Sequence, residues 1–163
     1  MDTGVDVKLN KYEKLLEKAA SDGISIDENY RFRGELKGLY INKNIALSDT
    51  LKTVAEKSCI LAEELGHYHT SYGNILNLSN TQNAKQERQA RGWAFDNQIG
   101  LQGLINAFEY GCSTSYETAE FLEVTEKFLQ EAIEYYRSKF GTSVIYKNYY
   151  IIFIPTLAVG KLI

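Results

Sequence analysis

The sequence predicts an α+β fold, mainly helical, carrying a few short antiparallel hairpins. Apolar residues recur every three or four positions over several stretches of helical length. Two runs rich in β-branched and aromatic residues are instead split by two-residue polar turns, Asn42-Lys43 and Lys147-Asn148. The 163 residues suit one domain that buries roughly two-thirds of its unfolded surface, with twelve tyrosines and seven phenylalanines to pack it.

The elements follow in chain order. Leu9, Tyr12, Leu15, Leu16 and Ala19 form one apolar stripe, and Asp22-Gly23 stops that helix near Ala20. Ile24-Ser25-Ile26 is short and alternating. Leu36 to Ile41 and Asn44 to Leu47 read as a hairpin, weakened slightly by Gly38 inside its first strand. Helical spacing returns from about Leu51 to Tyr68 through Val54, Ala55, Cys59, Ala62 and Leu65, with Asp49 or Thr50 as the expected cap. Tyr72 to Ala84 is rich in Asn, Ser and Thr and predicts a loop, long enough to suggest a functional role. Helices over Ala84 to Gln98 and Leu101 to Tyr110 come next. The block Tyr116 to Phe140 is a short helix, a turn at Glu123-Val124-Thr125 and a longer helix. Ser143 to Tyr146 and Tyr149 to Ile154 form a terminal hairpin, ended by Pro155. The organisation expected is a core over residues 1–112 and a helical extension with the hairpin over 113–163, packed as one domain.

Bulk chemistry narrows the function. Net charge is −3 with both signs mixed along the chain, so no basic patch exists to neutralise phosphates. Ala119, Leu122, Val124 and Phe128 imitate a helix-turn-helix core. Around them Glu117, Glu120, Glu123, Glu126, Glu131 and Glu134 outnumber Lys127, Arg137 and Lys139, and would repel a nucleic-acid backbone. Cys59 and Cys112 have no CxxC spacing; a small buried apolar residue and a loop-end thiol are the plain readings. With neither a signal-peptide core nor a long apolar run, the expectation is a reduced, soluble, cytoplasmic protein with no membrane partner.

The chemistry concentrates at Glu63-Glu64-Leu65-Gly66-His67. Side chains four apart on a helix share a face and can hold one metal ion. In H-E-x-x-H, two histidines bind zinc while the glutamate beside the first activates the bound water. Here Glu63 replaces the first histidine, and glutamate also ligates zinc. Glu87, near the start of the next helix, is the best candidate for a third ligand, and small Ala90 one turn later would allow close helix approach. Alone, the five-residue pattern is weak: glutamates are common on helix surfaces, and Glu56, Glu63 and Glu64 could form a solvated face. Against that stand the apolar flanks Ile60, Leu61, Ala62 and Leu65, which leave ionisable groups in need of a partner. His69 points about 200° from His67 on a regular helix and serves as an alternative ligand only if the helix frays after Gly66.

The run Ala55 to Tyr68 with its E-E-L-G-H, the Tyr72-Gly73-Asn74-Ile75-Leu76 that follows, and Glu87 with Ala90-Arg91-Gly92-Trp93-Ala94 together resemble the ImmA/IrrE family of metallopeptidases. Similarity is greatest to the branch found in phages and mobile elements of Gram-positive bacteria, and it covers about Tyr12 to Phe140. The resemblance implies a gluzincin-like fold with the motif on its central helix. It implies a zinc endopeptidase with Glu64 as general base and with His67 and Glu87 as ligands, Glu63 lying where most of the family has histidine. It further implies cleavage of a helix-turn-helix repressor, which releases silenced phage or mobile-element genes. A peptidase-like module that grips the repressor with weak or no catalysis is the alternative. Two carboxylates and one imidazole would leave a zinc site formally neutral, where a two-histidine site keeps one positive charge. The ion's charge is what lowers the pKa of its water from about 15.7 toward about 7. A slower enzyme, or one with a higher pH optimum, is therefore expected.

Overall fold

The computed structural model describes residues 7–71 and 80–163. Helix α1 (Lys11–Ser21) leads into β1 (Ser25–Tyr30), β2 (Gly38–Ile41) and β3 (Asn44–Ser48). Then come α2 (Val54–Thr70), α3 (Asn80–Gln98), α4 (Gly100–Tyr110), α5 (Ser115–Leu122) and α6 (Glu126–Phe140). The chain ends in β4 (Ser143–Tyr146), β5 (Tyr149–Ile152) and β6 (Ala158–Lys161). The fold is α+β and mainly helical, as its periodicities predict.

Local chemistry sets the helix ends. Asn10 caps α1, its side chain accepting the Glu13 N–H at 2.8 Å while the Glu13 carboxylate accepts the Asn10 N–H at 2.8 Å. Neither Asp49 nor Thr50 caps α2. Thr53 does: its Oγ1 accepts the Glu56 N–H at 3.1 Å, and Glu56 accepts the N–H groups of Thr53 and Lys52. Glu56 is therefore a capping residue rather than part of an acidic face. The turn between α5 and α6 places Glu123 in the left-handed region at φ 57°.

Three expectations need correction. Of the loop expected from Tyr72 to Ala84, residues 72–79 lie outside the described residues; the remainder is helix, α3 starting at Asn80. The first sheet is mixed, not antiparallel: its order is β1-β3-β2, and β1 pairs parallel with β3. The alternation of Ile24 to Ile26 marked a strand but carried no information on its partner, which the passage of β2 and β3 decides. Finally, the terminal hairpin gains a third strand, since β6 pairs antiparallel with β5. Its Ala-Val-Gly-Lys stretch is too short to show a strand period, and Gly160 is there because the Tyr150 ring occupies the space a Cβ would fill, 2.1 Å away.

One hydrophobic core joins these elements, from Tyr12 on α1 through Leu61, Ala62 and Leu65 on α2 to Phe128 and Tyr136 on α6 and Phe153 beyond β5. Cys59 is part of it, as its small apolar character suggests. Helices α2 and α3 form the central pair. They meet at Gly66, where a Cβ would lie 2.2 Å from the Ala90 carbonyl oxygen. Both Ala90 and Ala94 are 0% exposed along this seam. No helix among the described residues is long and apolar enough to cross a membrane.

A backbone carbonyl cannot yield as a flexible side chain does. Gly66→Ala is therefore expected to lower the unfolding free energy by about 2 kcal/mol, even though alanine gains roughly 1 kcal/mol in helix propensity. Urea unfolding of the two proteins measures this, and a more stable variant would contradict the seam described.

Candidate active site

The close approach of α2 and α3 decides which side chains meet. Glu63, Glu64 and His67 project from consecutive turns of α2 in its half-buried stretch. Because Gly66 rests on Ala90, Glu87, one turn before Ala90, comes opposite His67. The His67 Nε2 stands 3.2 Å from Glu87 Oε2. This contact raises the His67 pKa against the opposing pull of burial and lowers that of Glu87.

Glu64 faces the other way, onto edge strand β2. Gly38 makes that possible, for a Cβ there would stand 2.8 Å from Glu64 Oε1 and 2.6 Å from the Ile60 side chain. The glycine that weakens β2 as a strand is thus a seat for Glu64. Burial is the main cause pushing the Glu64 pKa up to about 7, reinforced by Glu63 and Glu87 and opposed by His67 and by the backbone N–H of Tyr40.

Glu63 turns toward α3 and α6. Its Oε1 is 3.7 Å from Arg91 Nε, and burial raises its pKa while Arg91 opposes the shift. Arg91 Nη2 also donates to the Glu131 carboxylate from α6. A cavity of about 330 Å³ opens beside them, with Glu63, Glu87, Arg91, Lys127 and Glu131 in its wall. His69 takes no part. Helix α2 runs unbroken to Thr70, and His69 stacks on Trp93 at 4.6 Å with its Nε2 3.4 Å from Asp22.

The residues singled out from the sequence are thus neighbours, but not all converge. His67 and Glu87 do, Glu64 lies alongside, and Glu63 is engaged by Arg91. Among the described residues, no group of three or more His, Cys, Asp or Glu is disposed to hold a metal ion. Sequence reasoning missed Gly38, Tyr40, Arg91 and Glu131. Of these, Arg91 left a local trace, four residues after Glu87 on the same helix face, and Gly38 left another as a glycine inside a strand.

The family model described as Peptidase_M78, the IrrE N-terminal-like domain, matches residues 12–134, and the chain belongs to this family. The domain is accordingly of the metallopeptidase type. No curated protein and no solved structure matches the chain.

The donor chemistry fits a divalent cation. The His67 imidazole and the carboxylates of Glu63 and Glu87 are each of a donor type that zinc accepts. In the cavity wall the carboxylates of Glu63, Glu87 and Glu131 outnumber the cations Arg91 and Lys127 by one, a small acidic surplus. Position fits less fully, since Glu63 must leave Arg91 to join the other two.

In metal-free protein, protons relieve that surplus, and the sign of the effect follows. Between the ordinary Glu value of 4.5 and about 7, folded Glu64 holds a proton that the unfolded chain has lost. His67 acts alike above 6.5, its folded pKa also being raised. Stability of chelator-treated protein is expected to fall as pH rises from about 4.5 to about 7. Glu64→Gln should flatten the profile over that interval; an equally steep slope in the variant would assign it to other groups.

Proposed function

We propose that this chain is a zinc-dependent endopeptidase whose substrate is a helix-turn-helix repressor. In this reading Glu63, His67 and Glu87 hold the metal, and Glu64 is the general base. The observation that carries it is the meeting of His67 and Glu87 across two helices, 3.2 Å apart, with the Glu64 carboxylate beside them. The repressor substrate, and the release of phage or mobile-element genes that follows its cleavage, rest on the family resemblance of E-E-L-G-H and the Glu87 segment.

The chain's own residues account for the acid–base chemistry. A carboxylate with a pKa near 7 is matched to accepting a proton from the attacking water and returning it to the departing amine nitrogen. The backbone N–H of Tyr40 favours the ionised form of that carboxylate, and Gly38 leaves it room. The burial that raises the Glu64 pKa also limits competing water. When bound, the metal would supply Lewis-acid polarisation and a more acidic water.

The engagement of Glu63 by Arg91 favours one second reading, a domain of the same fold that binds its partner with little turnover. Two measurements separate the readings. Purified protein should contain zinc, with the content lost in His67→Ala and Glu87→Ala. Glu64→Gln should keep the metal and reduce cleavage of the cognate repressor by roughly 10²-fold or more, the scale of general acid–base catalysis. Metal retained in His67→Ala, or cleavage undiminished in Glu64→Gln, would remove these residues from the mechanism. Glu63→His restores a two-histidine set and is expected to raise the rate; an unchanged rate with zinc verified would count against the charge argument.

A further inference from the structure

Arg91 lies one turn after Glu87 on α3, so both side chains face α2. Three contacts fix it. Its Nη2 donates to Glu131, its guanidinium carbon stands 5.4 Å above the Phe95 ring, and its Nε is 3.7 Å from Glu63 Oε1. The last contact is incomplete: the Nε–H is buried without a hydrogen-bond acceptor, and 3.7 Å is too long for one. The arrangement is asymmetric. Arg91 keeps Glu131 and Phe95 if Glu63 turns away, whereas half-buried Glu63 loses the guanidinium that balances it and needs a proton or another cation.

We infer that Arg91 is the positioning residue of the metal centre, its guanidinium and a divalent ion competing for the single Glu63 carboxylate. The inference rests on the reading of Glu63, His67 and Glu87 as the donor set and adds what governs its assembly. With Arg91 in place, His67 and Glu87 form the standing half of the site, and Glu63 joins only by exchanging one cation for the other. A histidine at position 63 would have no such bond to break, because a neutral imidazole forms no ion pair with a guanidinium. The carboxylate at 63 and the arginine at 91 therefore act as a pair.

Zinc affinity measured by competition with a chromophoric chelator tests this on the full chain, with thermal melting as the check on folding. Arg91→Met keeps an apolar stem over Phe95 but removes the charge. It is expected to bind zinc roughly tenfold more tightly than wild type or better, about 1.4 kcal/mol or more. The gain should vanish when Glu63→Gln is added, so that Arg91→Met/Glu63→Gln and Glu63→Gln bind zinc alike. Arg91→Gln, neutral and able to hydrogen-bond, carries the same comparison should Arg91→Met fold poorly. Affinity that is unchanged or weaker, or a gain that survives Glu63→Gln, overturns the inference, the latter by showing a general charge effect. His67→Ala in the wild-type background separates this failure from a failure of the site. Zinc binding lost in His67→Ala but indifferent to residue 91 refutes only the role of Arg91, while zinc binding absent from wild type and Arg91 variants alike refutes both.

Discussion

The contact between Gly66 and the Ala90 carbonyl is the constraint from which the site's geometry follows. Two helices can approach this closely only where one has no side chain, and the crossing point fixes which residues above and below it face each other. One turn to one side it sets Glu87 against His67; on the other flank it brings Arg91 within ion-pair range of Glu63. Helix α3 is equally confined on its far side, where a Cβ on Gly92 would stand 2.6 Å from the Tyr135 hydroxyl of α6. Phe95 and Phe128, their rings 5.0 Å apart, complete that second seam. A helix held on one side by a backbone contact and on the other by packed aromatic side chains has little freedom to rotate, so the chemistry of α3 is set by packing.

On that scaffold the electrostatics of the site have a single theme. Glu63, Glu64, Glu87 and Glu131, from three helices, gather about the α2–α3 seam with Arg91, Lys127 and His67, in surroundings where burial disfavours every unpaired charge. Protons, an arginine and a divalent cation are alternative ways of neutralising the same surplus. The raised pKa values of Glu63, Glu64 and His67 and the turn of Glu63 toward Arg91 are two expressions of it.

The many glutamates of α5 and α6 behave differently, and the contrast is instructive. Glu117 closes a capping box with Thr114 and also accepts from Ser113, Glu126 accepts from the Ser115 hydroxyl, and Glu134 pairs with Arg137. These are exposed groups that secure helix ends in water, where pairing contributes little. Only Glu131, facing inward, reaches the site. The terminal strands lie beyond the family match and brace this end of the molecule. The Tyr149 hydroxyl donates to Glu109 of α4 at 2.6 Å, and Phe153 packs near the Tyr136 ring at 6.3 Å.

What the amino-acid sequence determined alone is local. Helical periodicity marked the helices, the Asn42-Lys43 and Lys147-Asn148 turns marked both hairpins, and the spacing of Glu63, Glu64 and His67 put them on one helix. The Glu87 segment was legible because its pattern, like the motif, lies within a few turns of chain. Tertiary structure decided whatever depends on partners distant in sequence: the parallel pairing of β1 with β3, the addition of β6, and Thr53 rather than Asp49 or Thr50 at the head of α2, where the chain leaves the sheet. It also decided the direction of each site side chain. Glu63 and Glu64 are adjacent letters with equal propensities, yet one meets Arg91 and the other an edge strand opened by Gly38, because a helix turns successive residues about 100° apart into different neighbours.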